Sequence, residues 1–171
     1  VPAAAPLAIA VARVDPMKDY PTLAAALADV PELTCLVAGL GTDHLAGPAN
    51  MRRLGERQDI EALLAAADLM VSSSAYGEGF SNAIAEAMAT GLAVVATDVG
   101  DNARLVGAAG TIVPPRDAAA LAAALAAFAR DPQALAAAGK VARARIADNF
   151  TVEHLVRSFD ALHDRAAAEK A

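Results

Sequence analysis

Short aliphatic runs, separated by longer stretches of helical spacing, restrict the fold of this chain more than any other feature. Leu7–Val11, Leu33–Ala38, Leu69–Ser73, Leu92–Thr97 and Thr111–Val113 read as strands. Most lack the alternation of a strand with one wet face, so both faces must be covered, as in a parallel sheet. Pro21–Asp29, Asp59–Ala67, Phe80–Thr90, Asp117–Arg130 and Pro132–Asp148 carry helical patterns, and a last helix is expected from Thr151 to about Ala168. Asp59 and Asp117 suit N-caps, and Gly91 a C-cap. Asn50–Gly55 reads as one more short strand, and Gly39–Asn50, rich in turn formers, as loop. The alternation predicts an α/β fold, a doubly wound parallel sheet with helices on both faces. Ligands bind such sheets at the carboxyl ends of the strands.

The chain has 171 residues, enough for one domain with a real core. Its 56% hydrophobic content comes mostly from alanine, and the longest apolar run, Ala118–Ala129, lies between Asp117 and Arg130. That run is far short of the roughly 20 residues of a membrane-spanning helix. A net charge of −6 argues against a nucleic-acid surface but leaves room for a small anion held by one or two local cations. The single cysteine, Cys35, lies in an apolar run and reads as a buried thiol, which excludes a disulfide framework. Val1–Pro6 reads as a linker remnant, and the whole as a domain of a longer protein.

The residues with chemistry to offer fall at the predicted strand ends. Arg13 and Lys18 follow the first strand, where a planar fork and a mobile ammonium suit a diphosphate; two solvated surface cations are the alternative. Gly39 and Gly41 follow the second, a G-x-G without the third glycine of a dinucleotide site. Glu78-Gly79-Phe80-Ser81-Asn82 follows the Leu69 strand. Its glycines permit close backbone approach, and a helix starting near Phe80 or Ser81 presents free N–H groups to an anion. Alternatively, Glu78 only caps that helix. Glu86 lies four residues after Asn82, on the same helix face, and is the only charged side chain between Glu78 and Asp98. A carboxylate among alanines is costly without a partner. A ribose diol would supply one, and so would a salt bridge to Arg13 or Arg104; plain exposure on an alanine-rich helix is the remaining alternative. His44, His154 and His163 have no metal-ligand spacing, and no metal site is expected.

These pieces together resemble the C-terminal, donor-binding half of the retaining glycosyltransferases of family 4, the "group 1" transferases, which have the GT-B fold with Rossmann-like halves. The E-x7-E signature of that family matches Glu78 and Glu86 in EGFSNAIAEAMATGLAVVATDVGDN. Its strand-end Arg and Lys match VARVDPMKD, its G-x-G matches AGLG, and its LGxRxDI matches LGERQDI at Leu54–Ile60. The order agrees from Leu7 to about Phe159. The resemblance implies a catalytic trio, in which Arg13 and Lys18 meet the donor diphosphate and Glu78 the sugar hydroxyls. It further implies that Gly39, Gly41 and Gly79 line the donor site. The backbone at Phe80, Ser81 and Asn82 would cradle phosphates and sugar, Glu86 the ribose, and the backbone near Glu56 and Arg57 the base. No cofactor and no metal are implied.

By the same resemblance, residues 7–150 form the nucleotide-sugar-binding domain, and residues 151–171 a helix that crosses back to an absent N-terminal half. That half would bind an acceptor glycan or glycolipid and make any peripheral membrane contact. The location implied is cytoplasmic, and the process bacterial polysaccharide or glycolipid assembly. Asp19, Ala93 and Asp101 stand where the family often has Gly, Pro and Gly, and the segment after Gly41 is short. Two other readings stand beside this one. The first is a non-catalytic sensor or scaffold that binds a nucleotide sugar. The second is a Rossmann oxidoreductase domain, which needs a third glycine near His44 and an acid at the next strand end.

Overall fold

The computed structural model describes residues 6–168, so the linker expected at the N-terminus lies, except for Pro6, outside the described residues. Six strands form one parallel sheet: β1 Leu7–Val11, β2 Thr34–Ala38, β3 Met51–Gly55, β4 Leu69–Ser72, β5 Ala93–Thr97 and β6 Gly110–Val113. Their order is β3-β2-β1-β4-β5-β6. The connecting helices are α1 Tyr20–Ala28, α2 Ile60–Ala66, α3 Asn82–Thr90, α4 Asn102–Val106, α5 Ala118–Arg130, α6 Pro132–Asn149 and α7 Val152–Ala168.

Successive strand residues point to opposite faces, which explains why inner strands such as β1, β4 and β5 are almost wholly apolar, whereas edge strand β3 carries the exposed Arg52 and Arg53. On one face Ala8, Cys35, Leu69 and Val95 pack with Leu23 and Leu27 of α1 and Leu121 and Leu125 of α5. On the other, Ile9, Met70 and Val94 pack with Leu64 of α2, Ile84 and Met88 of α3, and Leu105 of α4. Cys35 is wholly buried, and burial pushes its thiol up to about 12.

The predicted elements are present with small shifts, and three differences have physical causes. The helix α4 was not anticipated, because five residues show no periodicity. The Gly39–Asn50 loop contains one 3-10 turn, Thr42–His44. Asp117 caps α5 by accepting from the Ala120 N–H, but Asp59 makes no side-chain cap to α2; its carboxylate is taken by Arg57. Gly91 ends α3 in the left-handed conformation, as expected (φ 95°).

Two features of the sheet place the site. The strand order reverses between β1 and β4, the switch point at which a crevice opens in such sheets. Those two strands pair only at Ala8–Leu69 and Ile9–Met70, whereas β1 and β2 pair over all five residues. Their carboxyl ends therefore part, and a small cavity of ≈ 30 Å³ lies between them.

The helix α7 buries no residue. Its stripe of Val152, Leu155, Val156, Phe159 and Leu162 is 51–71% exposed. Its first turns, residues 152–158, border a cavity with Phe80 and Arg104, and the stripe beyond is uncovered.

Candidate functional site

The parted ends of β1 and β4 carry Lys18, Ser74, Glu78 and Ser81 into one cavity. The loop after β1 is held open by local caps. Asp15 accepts from the Met17 N–H at 3.0 Å, a bond that lowers its pKa below the ordinary carboxylate value. Asp19, left-handed at φ 46°, accepts from the Thr22 hydroxyl at 2.7 Å at the start of α1. The Tyr20 hydroxyl donates to the Ala12 carbonyl at 2.6 Å, and burial raises the pKa of this phenol. Asp19 thus does the work of the glycine often found at that point. An aspartate tolerates the left-handed region when its carboxylate bonds locally.

The loop after β4 is sewn to this one. The Ser73 hydroxyl donates to the Lys18 carbonyl at 2.7 Å, and the Ala75 N–H to the Met17 carbonyl at 2.7 Å. Across the gap the Lys18 ammonium pairs with Glu78 Oε1, with side chains only 20% and 9% exposed. The Ser74 hydroxyl donates to the same oxygen at 2.6 Å. Lys18 and Glu78 are therefore brought together, and Glu78 does not cap α3. Arg13 stands nearby in sequence but apart in environment. It is 64% exposed, paired to Asp15 at 3.3 Å, and does not line the cavity.

The helix α3 begins at Asn82, two residues later than Phe80. Its N-cap, Ser81, makes no side-chain hydrogen bond to the first turn. The leading N–H groups of α3 thus have no side-chain cap, beside the cavity that holds Lys18. A β-carbon on Gly79 would meet nothing, so this backbone is open to approach. The Phe80 ring turns away to pack on Phe150 at 5.6 Å, leaving only its backbone for the site.

Glu86 lies elsewhere, one turn into α3, in a groove of ≈ 690 Å³ that it lines with Gln58, Asp59 and Ile60 at the start of α2. It is exposed, which was one of the alternatives the sequence left open. Alanines flank it because α3 packs closely on its other side, and Glu86 looks outward. Neither Arg13 nor Arg104 pairs with it, and among the described residues it has no side-chain partner. Glu56 and Arg57 are exposed at the same groove's end of the sheet. The Arg57 guanidinium grips Asp59 at 2.8 and 2.6 Å, which raises the pKa of Arg57 and lowers that of Asp59.

Gly39 and Gly41 serve the loops. A β-carbon on Gly39 (φ 141°) would collide with the Ala12 carbonyl, so this glycine lets the β2 loop press against the one carrying Arg13. Three strand-end residues have roles that the sequence did not assign. Ser74 fixes Glu78, Thr97 donates to the Ser74 carbonyl at 2.6 Å, and Gly100 (φ 57°) leaves room for the Glu78 carbonyl. Serines and a glycine at strand ends are too common to single out; only the crossing of two loops shows their use. Among the described residues, no three His, Cys, Asp or Glu side chains are placed to hold a metal.

Residues 5–131 match the family model described as "Glycosyl transferases group 1". The chain is 35% identical over 152 residues to the lipopolysaccharide core biosynthesis mannosyltransferase LpsB of Rhizobium meliloti, covering 78% of this chain and 43% of that protein. It is 36% identical over 146 residues to the phosphatidyl-myo-inositol mannosyltransferase of Mycolicibacterium smegmatis, covering 76% and 37%. Among solved structures, Anabaena HepE in complex with UDP superposes with a TM-score of 0.84 at 27% identity, over 95% of this chain and 50% of that one. The chain spans less than half the length of these two curated relatives. With this sheet order and these matches, the chain belongs to the group 1 glycosyltransferases, as a C-terminal domain of the GT-B fold.

Proposed function

We propose that this domain binds a nucleoside diphosphate sugar along the crevice between β1 and β4 and the groove between α2 and α3. It would be the donor half of a retaining glycosyltransferase. The observation that carries the reading is the placement of Lys18 and Glu78 in one cavity, beside the uncapped start of α3, at the switch point of the sheet. The helix start and Lys18, with Arg13 swinging in from solvent, hold the diphosphate and stabilise the charge that grows on it as the sugar leaves. Glu78 accepts hydrogen bonds from sugar hydroxyls. Glu86, outward and without a side-chain partner, accepts from the ribose, and the backbone at Glu56 and Arg57 borders the base. Leaving-group charge is met by these groups, without a cofactor or metal.

The mannosyltransferase names of the relatives and the UDP held by HepE support a sugar-nucleotide donor. The mannosyltransferase names also support work in polysaccharide or glycolipid assembly; in that reading the protein works in the cytoplasm, with its acceptor held by an N-terminal half. Among the described residues no helix is long and apolar enough to cross a membrane. The exposed stripe of α7 would pack on that half, which closes the cleft; alone, this domain binds donor and transfers nothing. Calorimetry with UDP, GDP and ADP and their sugars, with and without EDTA, tests the reading. Binding that survives EDTA is expected. Its abolition, or binding of none of the panel, would overturn it.

A further inference from the structure

We infer that Ser74 is a positioning residue for Glu78, and that its hydroxyl holds the carboxylate in place for the donor sugar when Lys18 is drawn to the diphosphate. The inference rests on the proposed role of Glu78 at the sugar. In the unliganded site one carboxylate oxygen, Oε1, serves two donors, the Lys18 ammonium and the Ser74 hydroxyl. Among the described residues Oε2 has no protein donor, so it is the oxygen left for a ligand. The two donors differ in freedom. Lys18 ends a flexible four-carbon stem and carries three protons, so an arriving diphosphate can share or take it. Ser74 has one proton, and it is spent on Glu78.

Ser74 also cannot move. It is 1% exposed, and its carbonyl accepts from Thr97 Oγ1 at 2.6 Å. The Thr97 carbonyl in turn accepts from Asn102 Nδ2 at 3.1 Å, a buried chain that runs from α4 through β5 to Ser74. On the other side, Ser73 and Ala75 bond to the β1 loop, so the segment is held from both directions. A hydroxyl fixed this way keeps the carboxylate in one rotamer whether or not the ammonium stays. A charge-assisted bond to a carboxylate is among the stronger single contacts a side chain makes. Its loss should appear where Glu78 meets the ligand and not where the phosphates bind.

The test compares two ligands on one protein. The chain and its Ser74→Ala variant are titrated calorimetrically with UDP, UDP-glucose, GDP and GDP-mannose, and the pair that binds the unaltered chain is kept. Ser74→Ala should weaken the sugar nucleotide about tenfold, at the low end for a hydrogen bond to a charged group. It should change the plain diphosphate less than about twofold. In a Glu78→Ala background, where the acceptor of the Ser74 hydroxyl is gone, Ser74→Ala should change neither. Equal loss for both ligands, or the same loss in the Glu78→Ala background, would make Ser74 a mere support of the loop. If Ser74→Ala fails to fold, Ser74→Cys keeps the volume and weakens the donor, and the same ligand difference is read there. If the unaltered chain binds none of these four nor ADP or ADP-glucose, the donor-site reading falls first and this inference with it.

Discussion

Glu78 and Glu86 are the same residue, eight positions apart, and the molecule treats them oppositely. Glu78 is almost enclosed, paired to Lys18 and bonded by Ser74. Glu86 stands exposed in a broad groove with no side-chain partner among the described residues. A carboxylate that the fold already satisfies contributes to stability with or without a ligand. A carboxylate left unsatisfied in water costs the fold nothing, and its full bonding capacity stays available. The crevice at the switch point is thus pre-organised, and the groove between α2 and α3 is completed by what binds there. Substitutions should separate the two, one costing both stability and binding, the other binding alone.

The largest effect is expected from Gly100→Ala. This glycine is left-handed (φ 57°), and a β-carbon would drive into the Glu78 carbonyl. Backbone strain and the clash should lower stability by about 2–4 kcal/mol, read as a shift of the urea midpoint. Sugar-nucleotide binding should fall with it. An unchanged midpoint would show that the Glu78 loop is not held from the β5 side. Next is Lys18→Met, which strips the cation from a nearly buried carboxylate. A cost of about 1–3 kcal/mol in stability is expected, together with loss of diphosphate affinity. If stability is untouched, the Lys18–Glu78 pair is not part of the unliganded fold. The smallest effect on the fold belongs to Glu86→Gln, within about 0.5 kcal/mol, as for exposed positions. Its binding cost should nevertheless reach about 1.5–3 kcal/mol.

Most of the fold was legible because it depends on local pattern. Two-sided apolar strands and helix-spaced leucines name the architecture without any contact being known. The helix α4 escaped because five residues give no period, and the start of α3 moved from Phe80 to Asn82 because a run of Gly, Phe and Ser does not mark the first turn. In the site, the residue types and their strand ends were legible, and their relations were not. Lys18 and Glu78 lie 60 residues apart, and nothing in either segment announces the other. Gly100 matters only because its loop crosses that of Glu78. The choice among the alternatives at Glu86 was hidden for the same reason. Neighbouring alanines imply burial, but they cover only the side of α3 that meets the sheet and α6, and the glutamate occupies the other. The stripe on α7 was legible too, yet pattern could not tell that it would remain uncovered, unlike the buried Leu121 and Leu125 of α5.

The division between the two glutamates is measured by crossing two variants with three ligands. Glu78→Ala and Glu86→Gln would each be titrated with the preferred nucleoside diphosphate, its sugar form and its deoxyribose form. Glu78→Ala should weaken only the sugar-bearing ligand and leave the plain diphosphate near its original affinity. Glu86→Gln should weaken both ribose ligands and make the protein indifferent to removal of the ribose hydroxyls. Equal losses across all three ligands in both variants would contradict a site with a pre-organised sugar end and an open ribose end.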